Sequence, residues 1–223
     1  MQQEKLRFPY TWEERRPAIH EGVLFIPDHY DKHTQWTFPS WEEIFGNSNP
    51  VVIEYCTGNG TWLTKKAEDK STNWVGVEWR FDRVQQIWAK KQRQGLDNLF
   101  IVSGDAQIFI RDYLHDLSVD SIYVNFPDPW PKEKHAKHRL FRPPFIEQMN
   151  RTAKGGAHLT VVTDDPRYSN QIITATLANP AWVSTFPDPY YVTEWKDYGT
   201  SFFDSLWREK GLTIRYLQFK KVL

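Results

Sequence analysis

The segment Asn125-Phe126-Pro127-Asp128-Pro129-Trp130-Pro131 sets one carboxylate and two aromatic rings among three prolines. Lys132, Lys134, His135, Lys137, His138, Arg139 and Arg142 lie directly behind it. It follows an apolar run, Val119 to Val124, that reads as a strand about to end. Proline has no N–H to donate to a ladder, so the sheet stops there and a stiff loop begins. Stiffness holds a reacting group in place, rings stack on a base, and cations hold phosphates. This combination predicts chemistry on a nucleobase.

Three more acids fall at strand ends. Val51 to Tyr55 carries Glu54 and runs into Cys56-Thr57-Gly58-Asn59-Gly60, a turn entering a helix. The next strand ends on Glu78, where an acid accepts ribose hydroxyls in dinucleotide folds. A third ends in Ser103-Gly104-Asp105-Ala106, whose carboxylate would receive an adenine amino group. Ligands of open α/β sheets bind beyond the carboxyl ends of the strands, so four such features in register predict a nucleotide-like cofactor. A nicotinamide cofactor fits poorly. Its fingerprint needs a third glycine where Leu63 stands, and Glu54 would repel a diphosphate. A cationic amino-acid or sulfonium group suits that turn, which favours S-adenosylmethionine.

The elements that must position these groups alternate. Strands are predicted at 51–55, 74–78, 98–103, 119–125 and 157–163. Helices are predicted at 60–68, 80–94, 106–114, 145–152 and 168–177, with Gly155-Gly156 stopping the fourth. Alternation at this spacing implies a parallel sheet covered on both faces. After Pro180, the segments Tyr190 to Trp195 and Leu212 to Lys220 read as two antiparallel edge strands. Phe186-Pro187-Asp188-Pro189-Tyr190 echoes the proline motif without its basic run, and we read it as ordinary loop composition. Residues 1–46 read as an aromatic-rich N-terminal arm, and 47–223 as the main domain.

Composition narrows the classes. Lys+Arg and Asp+Glu are equal at 28, so contact with a polyanion must come from a local patch. Cys56 is the only cysteine, which excludes an internal disulfide and fits a reducing cytoplasm. The first twenty residues are charged and broken by Pro9 and Pro17, unlike a signal peptide, and no apolar run approaches a membrane span. The seven histidines lack a metal-ligand spacing, so no metal is expected. Nothing in the sequence chooses between a monomer and a homodimer.

With these residues in place, the chain resembles the bacterial tRNA (guanine-N7)-methyltransferases from about residue 50 onward. Their pattern Asn-Phe-Pro-Asp-Pro-Trp-Pro-Lys, followed by a Lys/Arg/His run, is matched from Phe126 to Lys132, with His135, Lys137 and Arg139 in step. The resemblance implies a Rossmann-like class I methyltransferase fold, with a mostly parallel seven-stranded sheet and helices on both faces. It implies transfer of a methyl group from S-adenosylmethionine to N7 of a variable-loop guanine (tRNA position 46). Glu54, Gly58, Gly60, Glu78, Asp105 and Asp128 would face the cofactor, with Asp128 at the reaction centre. Lys132, Lys137, Arg139, Asp164, Thr200 and Asp204 would meet the tRNA. N7 carries a free lone pair, so methylation there needs neither a strong general base nor a metal. Phe126 and Trp130 are candidates for stacking on the extruded base or for packing under the loop.

Three positions depart from the pattern. Cys56 stands where the family has glycine; a positive φ there would cost on the order of 1–2 kcal/mol and set the side chain against the cofactor, and we read it instead as a small buried residue in a relaxed turn. Glu133 replaces a usual cation. Phe203 occupies the acid's place in the family's Thr-x-Phe-Glu box, putting Asp204 one residue late relative to Thr200. Two other readings follow from the same residues: an RNA-binding protein whose turnover Cys56 has blocked, and a methyl- or aminopropyltransferase acting on a small amine.

Overall fold

The computed structural model describes residues 5–222, apart from the side chain of Glu133. The chain divides into two compact units, Met1–His115 and Asp116–Leu223.

The first unit holds β1 (Ala18–His20), β2 (Val23–Phe25), β3 (Val51–Tyr55), β4 (Asn73–Glu78) and β5 (Leu99–Ser103), in the spatial order β1-β2-β5-β4-β3. β2, β5, β4 and β3 run parallel, and β1 is antiparallel to β2. Every residue of β3, β4 and β5 is buried, as their continuous apolar runs require of strands covered on both faces. The helices are α1 (Trp41–Phe45), α2 (Thr61–Lys66), α3 (Phe81–Gln94) and α4 (Ala106–Asp112). β1 and β2 lie in the segment read as an arm. Glu21 and Gly22 both have positive φ, the geometry of a two-residue hairpin turn. Three-residue strands are too short to show periodicity, and Glu-Gly lacks the usual Asn-Gly signal.

The second unit holds β6 (Val119–Asn125), β7 (Ala153–Thr163), β8 (Trp182–Ser184) and β9 (Arg215–Lys221), in the order β6-β7-β9-β8. Only β6 and β7 pair in parallel. Its helices are α5 (Pro143–Thr152), α6 (Pro166–Leu177) and α7 (Phe202–Glu209). Gly155-Gly156 does not stop α5; the helix ends at Thr152, and the glycines lie inside β7 beside a register shift against β6. The segment at 190–195 forms only a single bridge, Val192 to Tyr216, and the edge strand is β8. α7, which the sequence reading missed, is capped by Ser201 and exposes Phe202. The strands described therefore number nine rather than seven. No helix among the described residues is long and apolar enough to cross a membrane.

Candidate active site

In the first unit, the three acids end three neighbouring parallel strands or begin the loops that follow. Glu54 is buried in β3. Glu78 ends β4 and is buried too, its Oε2 accepting the Gly58 N–H at 2.8 Å and its Oε1 the Arg80 N–H at 2.9 Å. Burial raises the Glu78 pKa against the pull of those two donors and of Arg83, whose Nη1 lies 3.8 Å from Oε2. Glu78 thus pins the glycine turn from the adjacent strand. Asp105 caps α4, its Oδ1 accepting from the Gln107 and Ile108 N–H groups.

The turn itself is tight. Gly60 has φ +72°, and a Cβ there would lie 2.6 Å from Ile87 Cγ1. Leu63, standing where a dinucleotide fold has its third glycine, packs on Gly76 of β4; a Cβ on Gly76 would come within 2.3 Å of Leu63 Cδ2. The small residue that permits close helix–strand approach is on the strand instead of the helix. Cys56 is half-buried at φ +62°, so the expectation of a relaxed turn is corrected. A side chain in that region costs on the order of 1–2 kcal/mol. Lys90, which no sequence motif singles out, reaches the turn from α3 and bonds the Asn59 carbonyl at 2.7 Å and Thr61 Oγ1 at 2.8 Å.

In the second unit, β6 ends at Asn125, and the next peptide still donates from Phe126 N to Val162 O at 2.8 Å. Phe126 and Trp130 then adopt left-handed φ, +49° and +42°, on either side of Asp128. Strain of this kind persists only where surroundings enforce it. On the Trp130 side Arg139 does the enforcing. Its Nε donates to Pro129 O at 2.8 Å, its Nη2 to Trp130 O at 3.2 Å and its Nη1 to Gln171 Oε1 at 2.6 Å. Its guanidinium also faces the Tyr168 ring, and the Tyr168 hydroxyl accepts from the Leu140 and Phe141 N–H groups. α6 is the anvil on which the proline loop is set.

Asp128 is exposed, and its Oδ1 accepts the Trp130 N–H at 2.9 Å. The Trp130 ring rests against His135 and His138, at 5.7 and 5.2 Å between centroids. Phe126 lies 5.9 Å from Phe203. Lys132 and Lys137 are exposed on the short helical turn behind the motif. Asp164 is half-buried, and burial together with Asp165 raises its pKa. Thr200 is exposed.

Asp204 is different. It is 2% exposed, and its carboxylate accepts from the Tyr216 hydroxyl and, at 3.0 Å, from Arg208 Nε. Burial, with Asp204 adding to it, pushes the Tyr216 phenol up to about 12. Ser201, three residues before Asp204, accepts the Asp204 N–H at 3.1 Å, so the spacing of the Thr-x-Phe-Glu box falls on Ser201 to Asp204. Thr200 is the more literal match to the box in sequence, but it is Ser201 that caps the helix carrying Asp204.

A family profile described as "Putative methyltransferase" matches residues 48–214. The tRNA (guanine-N(7)-)-methyltransferase of Chlamydia felis is 46% identical over 224 residues, covering 100% of this chain and 99% of that protein. The enzyme of the same name from Chlamydia caviae is 45% identical, covering 99% of this chain and 98% of its own. Among solved structures, the 16S rRNA (adenine(1408)-N(1))-methyltransferase from Catenulisporales acidiphilia shares the fold. Its TM-score is 0.58 at 18% identity, over 82% of this chain and 92% of that one.

Proposed function

The chain belongs to the tRNA (guanine-N7)-methyltransferase family, and from that premise we propose how its residues divide the work of methylating a guanine in the variable loop of tRNA. The observation that carries the proposal is the brace on Asp128: two strained residues flank an exposed carboxylate, Arg139 holding the backbone at Pro129 and Trp130 while the Phe126 N–H bonds the Val162 carbonyl.

The residues at the ends of β3, β4 and β5 fit S-adenosylmethionine. Buried carboxylates at Glu54 and Glu78 suit a cationic ligand better than a diphosphate. The glycine turn is fixed by Glu78 and Lys90, and Asp105 keeps a second oxygen beyond the one that caps α4. The cofactor supplies a methyl group already activated on sulfur. Glu54 and the backbone at Gly58 and Gly60 hold its cationic portion, Glu78 its ribose, and Asp105 its base.

Guanine N7 needs no deprotonation, so the chain's task is positioning, which by itself can supply about 7–11 kcal/mol. Asp128 grips the guanine's N1–H and amino donors, or balances positive charge developing on the ring. Extrusion of the base costs a few kcal/mol, and binding energy from Lys132, Lys137, Asp164 and Thr200 offsets it. Arg139 acts through the proline loop it holds, and Asp204 through Tyr216 and Arg208, which its carboxylate ties together. The enzyme works without a metal, in the cytoplasm.

Incubation with labelled S-adenosylmethionine and an unmodified tRNA transcript tests this reading, followed by strand scission specific to N7-alkylated guanine. One cleavage in the variable loop is expected. Cleavage elsewhere would overturn the site assignment, and none at all would overturn the activity.

A further inference from the structure

We infer that the N-terminal segment from Phe8 to Arg15 forms a wall of the cofactor pocket, with Trp12 and Trp79 enclosing the adenine ring of S-adenosylmethionine. The inference rests on the cofactor reading above.

A cavity of about 280 Å³ opens in the first unit beyond the ends of β4 and β5. Ser103 and Gly104 line it, directly before Asp105, and so do Trp79 and Phe81, just after Glu78. The two acids proposed for the ribose and the base therefore flank it in sequence. Phe8, Tyr10, Trp12 and Arg15 supply the rest of an aromatic lining. Trp12 is 61% and Trp79 75% exposed, so both indoles on the cavity lining are open to a ligand.

The segment is fixed on both sides of the cavity. Leu6 is buried, and its carbonyl accepts from Gln85 Nε2 at 2.9 Å. The Phe8 ring stacks on Phe81 at 4.1 Å and 28°. Arg15 donates to the carbonyls of Trp12, Asp28 and His29, and its guanidinium lies 4.1 Å from the centre of the Trp12 ring. That commitment argues for adenine over an RNA nucleotide. The cation best placed to meet a phosphate is spent on backbone and indole, and the exposed Asp28 on the rim would repel one. A flat, uncharged ring between indoles requires neither group.

Calorimetry on the full chain provides the test, with S-adenosylhomocysteine and with 5′-methylthioadenosine, which lacks the amino-acid portion. Trp12→Ala should raise the Kd for both ligands by roughly three- to tenfold, and Trp12→Phe should restore most of the loss. The ligand-free melting temperature should hold, since Trp12 is largely exposed, and the Kd for tRNA should stay within about twofold of wild type. If Trp12→Ala binds both adenosine ligands as wild type does, the inference falls; a weakening confined to tRNA would make the segment an RNA contact instead. A wild-type chain that binds neither ligand would overturn the cofactor reading itself.

Discussion

Asp128 was legible in the sequence as a carboxylate between prolines, but what holds it was not. Left-handed φ at Phe126 and Trp130 has no one-letter signature, and Arg139 reads as one more cation in a basic run. Its guanidinium is spent on Pro129, Trp130 and Gln171, whereas Lys137 is exposed. The two residues should therefore fail differently. Lys137→Ala should weaken tRNA binding and reduce the salt slope by about 0.7–0.9, with the methylation rate at saturating tRNA unchanged. Arg139→Ala should lower that rate at least tenfold and leave the salt slope near its wild-type value; salt-titrated tRNA binding beside single-turnover kinetics separates them. Cys56 was flagged from sequence as a glycine substitute, and its φ of +62° now gives the departure a cost. Cys56→Gly should raise the unfolding free energy by about 1 kcal/mol, strain relief outweighing the entropy glycine adds to the unfolded chain. Urea titration checks it, and a loss of stability would mean that the cysteine side chain contributes packing of its own.

At the scale of elements, parallel strands buried on both faces declare themselves as apolar runs, so β3 to β6 emerged within a residue of their observed bounds. The positions of Glu54, Glu78 and Asp105 followed from those bounds, because each lies at or just beyond the end of such a run. What escaped were elements too short or too aromatic for a period: the β1–β2 hairpin, α7 in place of loop, and β8 in place of a strand at 190–195. The N-terminal segment is also pinned by a titratable contact. His33 is buried, its Nδ1 2.7 Å from the Tyr113 hydroxyl, and burial lowers its pKa below 6.5 despite Asp112. The unfolded chain therefore binds the proton first as pH falls. Stability is full above about 6.5 and declines as pH drops from there through the lowered folded value. Unfolding free energies measured across that window should fall in wild type and fall less steeply in His33→Asn. Equal slopes would contradict the assignment.

For the whole molecule, equal numbers of positive and negative side chains mean that no global field draws it to RNA. Attraction should come from Lys132, Lys134 and Lys137, all exposed behind the proline loop. A plot of log Kd for tRNA against log salt should then have a slope of roughly 2–3, nearly abolished by changing all three lysines to glutamine. A slope well above that would place further phosphate contacts elsewhere. The central claim, that the loop presents a carboxylate to the guanine, has a sharper test because asparagine keeps an oxygen for the Trp130 N–H while losing the charge. The decisive measurement is the single-turnover rate of N7 methylation by Asp128→Asn, with tRNA and S-adenosylmethionine both saturating. A fall of about a hundredfold or more, with tRNA affinity kept, is the predicted result; a rate equal to wild type would reduce Asp128 to a turn-former and contradict the account.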